Sequence, residues 1–316
     1  MAIRISLTDQ IAEFTRAGRE GFDLKPRRGG GHTGLLTVFG AIDFTGFEIQ
    51  PSLRLLWAPN STHSLWTSVS RAVRIPSLIA DGSILDVTTL PPGALGPGTP
   101  ATRVTSVGNK DAKAERLLAY ELGYRVKPHA RVSLDLAAFY NDYDNLLTVE
   151  PRAPISENSP APPHLLIPAK FDNLSQGASY GAEAVASVSI RKWWRMQATY
   201  SFLRVDLRQG RSQSDAATSA EGMDPRNQAG VRSMFNLPHN VELDFWLRYM
   251  DSIPEVDVPS YVAGDVRVGW RPTRRLELSL LGKNLFDNQH PEFSSTIPTQ
   301  RTEVQNSVSF KITLKF

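Results

Sequence analysis

From Gly46 to the last residue, apolar and polar side chains alternate with a period of two, in segments of about ten residues separated by turn-forming residues. Successive residues of a strand point to opposite faces, so each segment has one greasy face and one wet face. The clearest runs from Val241 to Tyr249, where Val241, Leu243, Phe245, Leu247 and Tyr249 oppose Glu242, Asp244 and Arg248. The final stretch repeats the pattern. Val304, Val308, Phe310, Ile312, Leu314 and Phe316 share one parity, and Glu303, Gln305, Ser307, Ser309, Lys311, Thr313 and Lys315 the other. A soluble sandwich would bury the apolar parity; an outer-membrane barrel would turn it to lipid and the polar parity to an aqueous lumen. A single strand fits both.

The connections separate the two. About eleven or twelve strands are legible by this alternation. Their connections are short and long by turns: short after Trp57, Val126, Ile190, Leu237 and Trp270, and long over residues 76–114, 151–172, 208–226 and 286–300, with 252–258 intermediate. Membrane barrels join strands by tight turns at one rim and long loops at the other, whereas sandwiches have no reason to. The short connections read APNS, KPHA, LPHN and RPTR, which carry the Pro, Asn and His suited to tight reversals. Aromatics fall into two groups. Trp57, Tyr124, Trp194, Phe235 and Trp270 stand beside the short turns, and Tyr140, Tyr200 and Tyr249 toward the opposite strand ends, as interfacial belts would. The fold class expected is therefore all-β: a partial antiparallel transmembrane β-barrel.

Composition agrees. In 316 residues no apolar run approaches the roughly 20 residues of a spanning helix, and the 41% hydrophobic content is what alternating strands average to. Cysteine is absent, as in many exported proteins. The net charge of +3 is spread along the chain, so nucleic acid is not an expected partner. Residues 1–45 differ from the rest. Thr8 to Arg16 reads as a short amphipathic helix, KPRRGG (25–30) as linker and Leu35 to Ile42 as a weak strand. The apolar stretch after Arg4 is interrupted by Asp9 and Glu13 and does not read as a signal peptide.

Four stretches resemble the C-terminal half of the barrel of TonB-dependent outer-membrane receptors. They are GFEIQPSLRLLWAPNSTHSLWTSVSRAVRIPS (46–77), AYELGYRVKPHARVSLDLAAFYNDYDNLLTVEP (119–151), NLSQGASYGAEA (173–184) and LELSLLGKNLFDNQHPEF (276–293). The terminal VSFKITLKF is similar to that family's closing strand. The resemblance spans 46–316. It implies a barrel of about 22 strands, half of it represented here, around a plug domain, with uptake of a siderophore-iron complex, cobalamin or another scarce nutrient through the TonB complex. It marks Gly282, Asn284, Leu285 and Phe286 as family motif, and Val308, Phe310, Ile312, Leu314 and Phe316 as an assembly signal for the barrel-assembly machinery, with outer-membrane lipid around the wall. No plug or TonB-contacting segment is visible in the sequence. The expectation is a truncated or frameshifted reading frame, with 1–45 as leader and 46–316 as half-barrel, not transporting alone. The alternatives are a small self-closing passive channel and a soluble all-β binding module.

No catalytic constellation, cofactor pattern or metal-ligand spacing is present, so an enzyme is not expected. The six histidines, His32, His63, His129, His164, His239 and His290, read as solvated loop residues. RGGG (28–31) lacks the lysine of a phosphate loop, and LPPGALGPGTPATR (90–103) reads as an outer loop. Glu183, Glu242, Asp244, Arg248, Asp265, Arg267 and Glu277 fall on the lumen parity, where solvation and cross-strand pairing are their expected roles.

Overall fold

The computed structural model describes residues 31–43, 46–214, 218, 220–287, 289–292 and 302–315. The helix expected over Thr8 to Arg16, the linker 25–30 and Phe316 lie outside the described residues. The described residues begin with β1 (Gly31–Asp43), β2 (Gly46–Ala58), β3 (His63–Arg74), the helix α1 (Leu78–Gly82), β4 (Ile84–Leu90), β5 (Thr102–Val107) and β6 (Glu115–His129). It continues with β7 (Val132–Pro151), β8 (Ile155–Glu157), β9 (His164–Arg191), β10 (Trp194–Arg208), β11 (Asn227–Leu237) and β12 (Val241–Met250). The last strands are β13 (Tyr261–Trp270), β14 (Leu276–Lys283), β15 (Gln289–His290), β16 (Val304–Gln305) and β17 (Ser307–Leu314).

One sheet dominates, ordered β1-β2-β3-β6-β7-β9-β10-β11-β12-β13-β14-β17, each neighbour antiparallel to the last. These are the twelve strands at the upper end of the sequence reading. Tight turns join β2–β3, β6–β7, β9–β10, β11–β12 and β13–β14 at one rim. Longer connections join β3–β6, β7–β9, β10–β11, β12–β13 and β14–β17 at the other. The β1–β2 hairpin departs from this rule: its register closes at Asp43↔Gly46, a short reversal on the long-loop rim.

The turn residues act as their chemistry requires. In APNS, the Asn60 carboxamide oxygen accepts from the Thr62 N–H at 2.9 Å, the Thr62 hydroxyl at 2.7 Å and the His63 N–H at 2.9 Å. In LPHN, His239 and Asn240 both take left-handed backbone angles (φ 62° and 58°), which matches the twist of a tight hairpin.

The apolar parity is not inside anything. Among the described residues the buried apolar ones are Ala80, Ala112, Ala114, Ala178, Ile253, Val258 and Ala263, and five of these seven lie outside the strands of the wall. Leu53, Leu55, Leu122, Leu247, Val268, Leu280, Phe310 and Ile312 are all exposed on one face of the sheet. A water-soluble sandwich buries such a face in a core, whereas the wall of a membrane barrel leaves it exposed, as it is here.

Two strands are far too long for the bilayer alone. β7 has 20 residues and β9 has 28, against the roughly 9–11 that a tilted strand needs to cross. Their excess stands above the long-loop rim. There β5 pairs parallel with the start of β9 (Thr102↔Leu165 to Val107↔Lys170), β4 pairs with β5, and β8 lies on β9 at Ile155↔Leu166.

Candidate ligand-facing crown and polar inner wall

The crown above the long-loop rim is built from small polar groups. Thr102, Thr105, Ser106, Thr148 and Ser175 are buried there. α1 starts at Ser77, whose hydroxyl accepts from the Ala80 N–H, and Gly108 presses onto it so closely that a Cβ would lie 2.6 Å from the Gly82 nitrogen. Asn173 is the main clamp. Its Oδ1 accepts from the Lys113 N–H at 2.7 Å, and its Nδ2 donates to the carbonyls of Lys113 (3.0 Å) and Asn145 (2.8 Å). One side chain thus ties the 108–114 segment, the irregular upper end of β7 and β9 together.

Charges in the crown are answered locally. Arg103 donates to Glu157 at 2.9 Å, His164 lies 3.2 Å from the same carboxylate, and the Thr105 hydroxyl donates to Asp86 at 2.7 Å. Burial pushes the Glu150 carboxyl up, but donors from Ser212, Thr148 and the Gln213 amide, with the Arg152 charge, outweigh it and hold the group below its ordinary value. Asp251, beyond β12, is likewise held low, chiefly by the Asn227 side chain and then by the Ser252 N–H and Tyr249 hydroxyl. Beside them a cavity of about 380 Å³ opens between the β10–β11 and β12–β13 loops, lined by Arg204, Arg226, Glu221, Asp224 and Glu255 among others. Among the described residues no cluster of three or more His, Cys, Asp or Glu is placed to hold a metal ion.

The polar face of the wall is laced across strands. Arg267 on β13 reaches Glu242 (3.0 Å) and Asp244 (3.1 Å) on β12 and Glu277 (3.5 Å) on β14, Arg271 pairs with Glu242, and Arg232 on β11 lies 3.4 Å from Asp244. Nearer the long-loop rim, Arg248 lies 3.3 Å from Asp265 and its guanidinium sits 4.8 Å from the Trp246 ring. Inward aromatics lie on glycines: an added Cβ at Gly123 would meet the Trp66 ring at 2.1 Å, and one at Gly181 the Phe139 ring at 2.7 Å.

A sheet with one face apolar and exposed, the other ion-paired, and long loops at one rim matches the family model of the TonB dependent receptor-like β-barrel over residues 5–285. The chain belongs to this family. It is a family of outer-membrane receptors rather than enzymes. The match begins upstream of Gly46, where the sequence resemblance starts. No curated protein matches the chain. Similar solved structures include the ferric enterobactin receptor PfeA of Pseudomonas aeruginosa, at 17% identity and TM-score 0.65, covering 82% of this chain and 38% of that one. The siderophore receptor PirA of Acinetobacter baumannii gives 17% identity and TM-score 0.64, covering 82% and 40%. The ferric-catecholate import receptor Fiu of E. coli gives 14% identity and TM-score 0.61, covering 86% and 35%. The chain thus spans about two fifths of the length of these receptors, and at such identities the likeness is one of fold.

In this TonB-dependent receptor barrel chain the stretch GKNLFD (282–287) makes a tight reversal. Asn284 is buried with φ 55°; its N–H donates to Asp265 at 3.1 Å and its carboxamide oxygen faces Arg248 at 3.4 Å. The reversal it makes lays Phe286 over Gly264, where a Cβ would meet the ring at 2.1 Å, and sets Leu285 against Gly282. Polar Asn284 thus points to the inner wall while Leu285 and Phe286 stay exposed on the apolar side.

The aromatics named from sequence stand on the outer face. Trp57, Tyr140, Tyr200, Tyr249 and Trp270 are exposed, Trp194 stacks on Phe235 at 5.6 Å, and Tyr124 accepts or donates a 2.6 Å bond with His63. Tyr120 and Tyr180, on the apolar parity but not among the interfacial aromatics expected from sequence, flank Tyr140 at 6.5 Å in a cross-strand row. Val308, Phe310, Ile312 and Leu314 share the apolar face of β17. One expectation is corrected. His290 is not a solvated loop residue: it is 3% exposed, 3.2 Å from both Asp287 and Glu292, and stacked on Tyr261 at 4.0 Å. His164 is also partly covered, against Glu157. The nearby carboxylates were in the sequence, but the Tyr261 contact is long-range and left no local signal.

Proposed function

We propose that this chain forms a section of the wall of an outer-membrane receptor that takes up a siderophore-bound metal, with energy delivered through the TonB complex. The observation that carries the reading is the division of one twelve-strand sheet into an exposed apolar face and an ion-paired polar face beneath a polar crown. Such a wall separates lipid from an aqueous path and places its recognition surface outside the cell. PfeA and Fiu are receptors for ferric enterobactin and ferric catecholate, which makes a ferric catecholate the first ligand to test. Uptake is assigned to the receptor of which this wall is a section.

In this reading Trp57, Tyr124, Trp194, Phe235 and Trp270 anchor one interface and Tyr140, Tyr200 and Tyr249 the other. The apolar residues of β17 with Phe316 serve as the signal read by the barrel-assembly machinery. Uptake of radiolabelled iron as its catecholate complex is measured in iron-starved cells with the intact locus and with the locus deleted. Uptake should fall on deletion; equal uptake of ferric catecholates removes the ligand assignment. Phe316→Asp should lower the amount of chain in the outer-membrane fraction, and unchanged insertion removes the assembly role.

A further inference from the structure

The ladder between β2 and β3 stops while both strands run on. They pair only from Trp57↔Leu65 to Ser52↔Ser70, yet β2 stays paired with β1 up to Asp43↔Gly46, and β3 with β6 up to Arg74↔Glu115. Pro51 is the cause. One further step of the register would set it opposite Arg71. The Ile49 carbonyl points at β3, where it accepts from the Arg71 guanidinium, and backbone groups two residues along a strand point the same way. Pro51 therefore turns towards β3 the one nitrogen of β2 that carries no hydrogen, and the ladder ends there. Side chains stitch the gap instead. Arg71 also donates to Glu48 at 2.7 Å, and the Gln50 side-chain oxygen accepts from the Val73 N–H at 3.4 Å. Arg71 shares the outward parity of Val69, whereas Glu48 lies on the inward parity opposite Ile49. The guanidinium thus passes between the strands from the apolar face to the polar one.

We propose that this seam is a lateral gate, latched by Arg71, at which β2 and β3 part above Ser52 and admit an acyl chain from the outer leaflet. Its height fits that role. From Trp57 to Pro51 is about six residue steps, about 20 Å along the strand and about 16 Å of height at a tilt of about 40°, inside the roughly 25 Å of a barrel's apolar band. The seam therefore opens onto the outer half of the hydrocarbon. Unpaired backbone is costly in that medium, and a continuous ladder holds an ordinary wall shut. Here Pro51 removes the ladder, and the side-chain bonds of Arg71 and Gln50 replace it. The flanks suit an acyl chain, since Ile49, Leu53 and Val69 are apolar and exposed on the outward side of the two strands. The proposal rests on the reading of that face as lipid-facing.

The chain has no cysteine, so nitroxide labels attach only at introduced ones. Ile49→Cys with Val73→Cys puts labels on either side of the seam and leaves Arg71, Glu48 and Gln50 in place. Leu55→Cys with Thr67→Cys puts them across the paired ladder below it. Distances are read by double electron–electron resonance on the full chain in phosphatidylcholine vesicles. The lower pair should give one narrow distance. The seam pair should add a population longer by about 4.8 Å or more, a full strand interval. Pro51→Val, which restores the N–H, should remove that population. Arg71→Gln should raise the ratio of open to closed by about tenfold, as loss of a hydrogen bond to a charged group does. Entry of lipid is read separately. A fluorophore at Ser70→Cys, on the inward parity, should be quenched by lipid carrying a nitroxide on its acyl chain, and Pro51→Val should abolish the quenching. Because Arg71→Gln could fold poorly, the comparison of the unlatched seam with the lower pair and with Pro51→Val stands without it. A seam as narrow as the lower pair overturns the gate, as does a distribution that Pro51→Val leaves unmoved. Long distances without quenching at Ser70→Cys overturn it too, because no acyl chain then enters. A lower pair that never reaches its paired distance in vesicles counts against the receptor reading; a narrow seam above a correctly paired lower ladder counts against the gate alone.

Discussion

Phe245 and Trp246 are chain neighbours on opposite faces of β12, and substituting each by arginine tests the assignment of lipid and lumen directly. The apolar face of β12 runs from Val241, level with Trp270, to Tyr249. That is eight residue steps, about 27 Å along the strand at about 3.4 Å each and about 20 Å of height at a tilt of about 40°, most of the roughly 25 Å of a barrel's apolar band. Phe245 lies midway. Arginine there faces hydrocarbon at a cost of about 2–4 kcal/mol. It also removes the edge-on contact with Phe235, whose ring centroid lies 6.1 Å away, worth about 0.5–1.5 kcal/mol. Phe245→Arg should therefore cost about 3–5 kcal/mol. Trp246→Arg faces the lumen and loses the stacking of Arg248, 4.8 Å from the ring, which is worth about 0.5–1 kcal/mol at an exposed site. The difference of about 2–4.5 kcal/mol is a ratio of roughly 30–2,000 in folding equilibrium. The assay is urea titration of the chain in lipid vesicles, read by the gel mobility of folded against unfolded chain. Equal costs, or a larger cost for Trp246→Arg, would refute the orientation of the wall.

Three further outcomes are expected. Gly264→Val puts a side chain where the Phe286 ring lies and should destabilise by about 1–3 kcal/mol; Phe286→Ala in the same chain should recover most of this, and a double-mutant cycle with no coupling would reject the contact. Asn173→Ala removes three bonds that join the 108–114 segment to β7 and β9 and should cost about 1–3 kcal/mol locally. Limited proteolysis within 108–114 should speed up, and unchanged cleavage would show that the clamp is dispensable. Asp251 and Glu150 are both held below their ordinary values, so each stabilises the crown at pH above the ordinary carboxylate range and ceases to as pH falls through its lowered folded value. Protection of the Ser252 and Gln213 amides, taken relative to their intrinsic exchange rates at each pH, should therefore fall on acidification. Asn227→Ala should move the Asp251-linked loss of protection to higher pH, and an unmoved profile would reject the linkage.

The wall was legible in the sequence and the crown was not, because they answer to different solvents. Each wall position faces one of two nearly uniform media, so parity alone selects residue type, as Leu243, Phe245 and Leu247 against Glu242, Asp244 and Arg248 show. The tight turns were legible because Asn60, His239 and Asn240 satisfy a local backbone demand within three residues. In the crown each position answers to one distant partner. The parallel pairing of β5 with β9 joins residues about sixty apart (Thr102↔Leu165), and nothing in the Pro- and Gly-rich run before β5 announces it. Asn173 lies in a stretch whose resemblance was plain, but its importance comes from Lys113 and Asn145, neither of them near it in sequence. The glycines that receive aromatic rings occupy a middle ground. Gly123 is level with Trp66 and Gly181 with Phe139, so the pairs become readable once strand register is known. A TonB-dependent receptor wall is thus specified largely by the media its two faces meet, whereas the crown is specified by which distant segments it brings together.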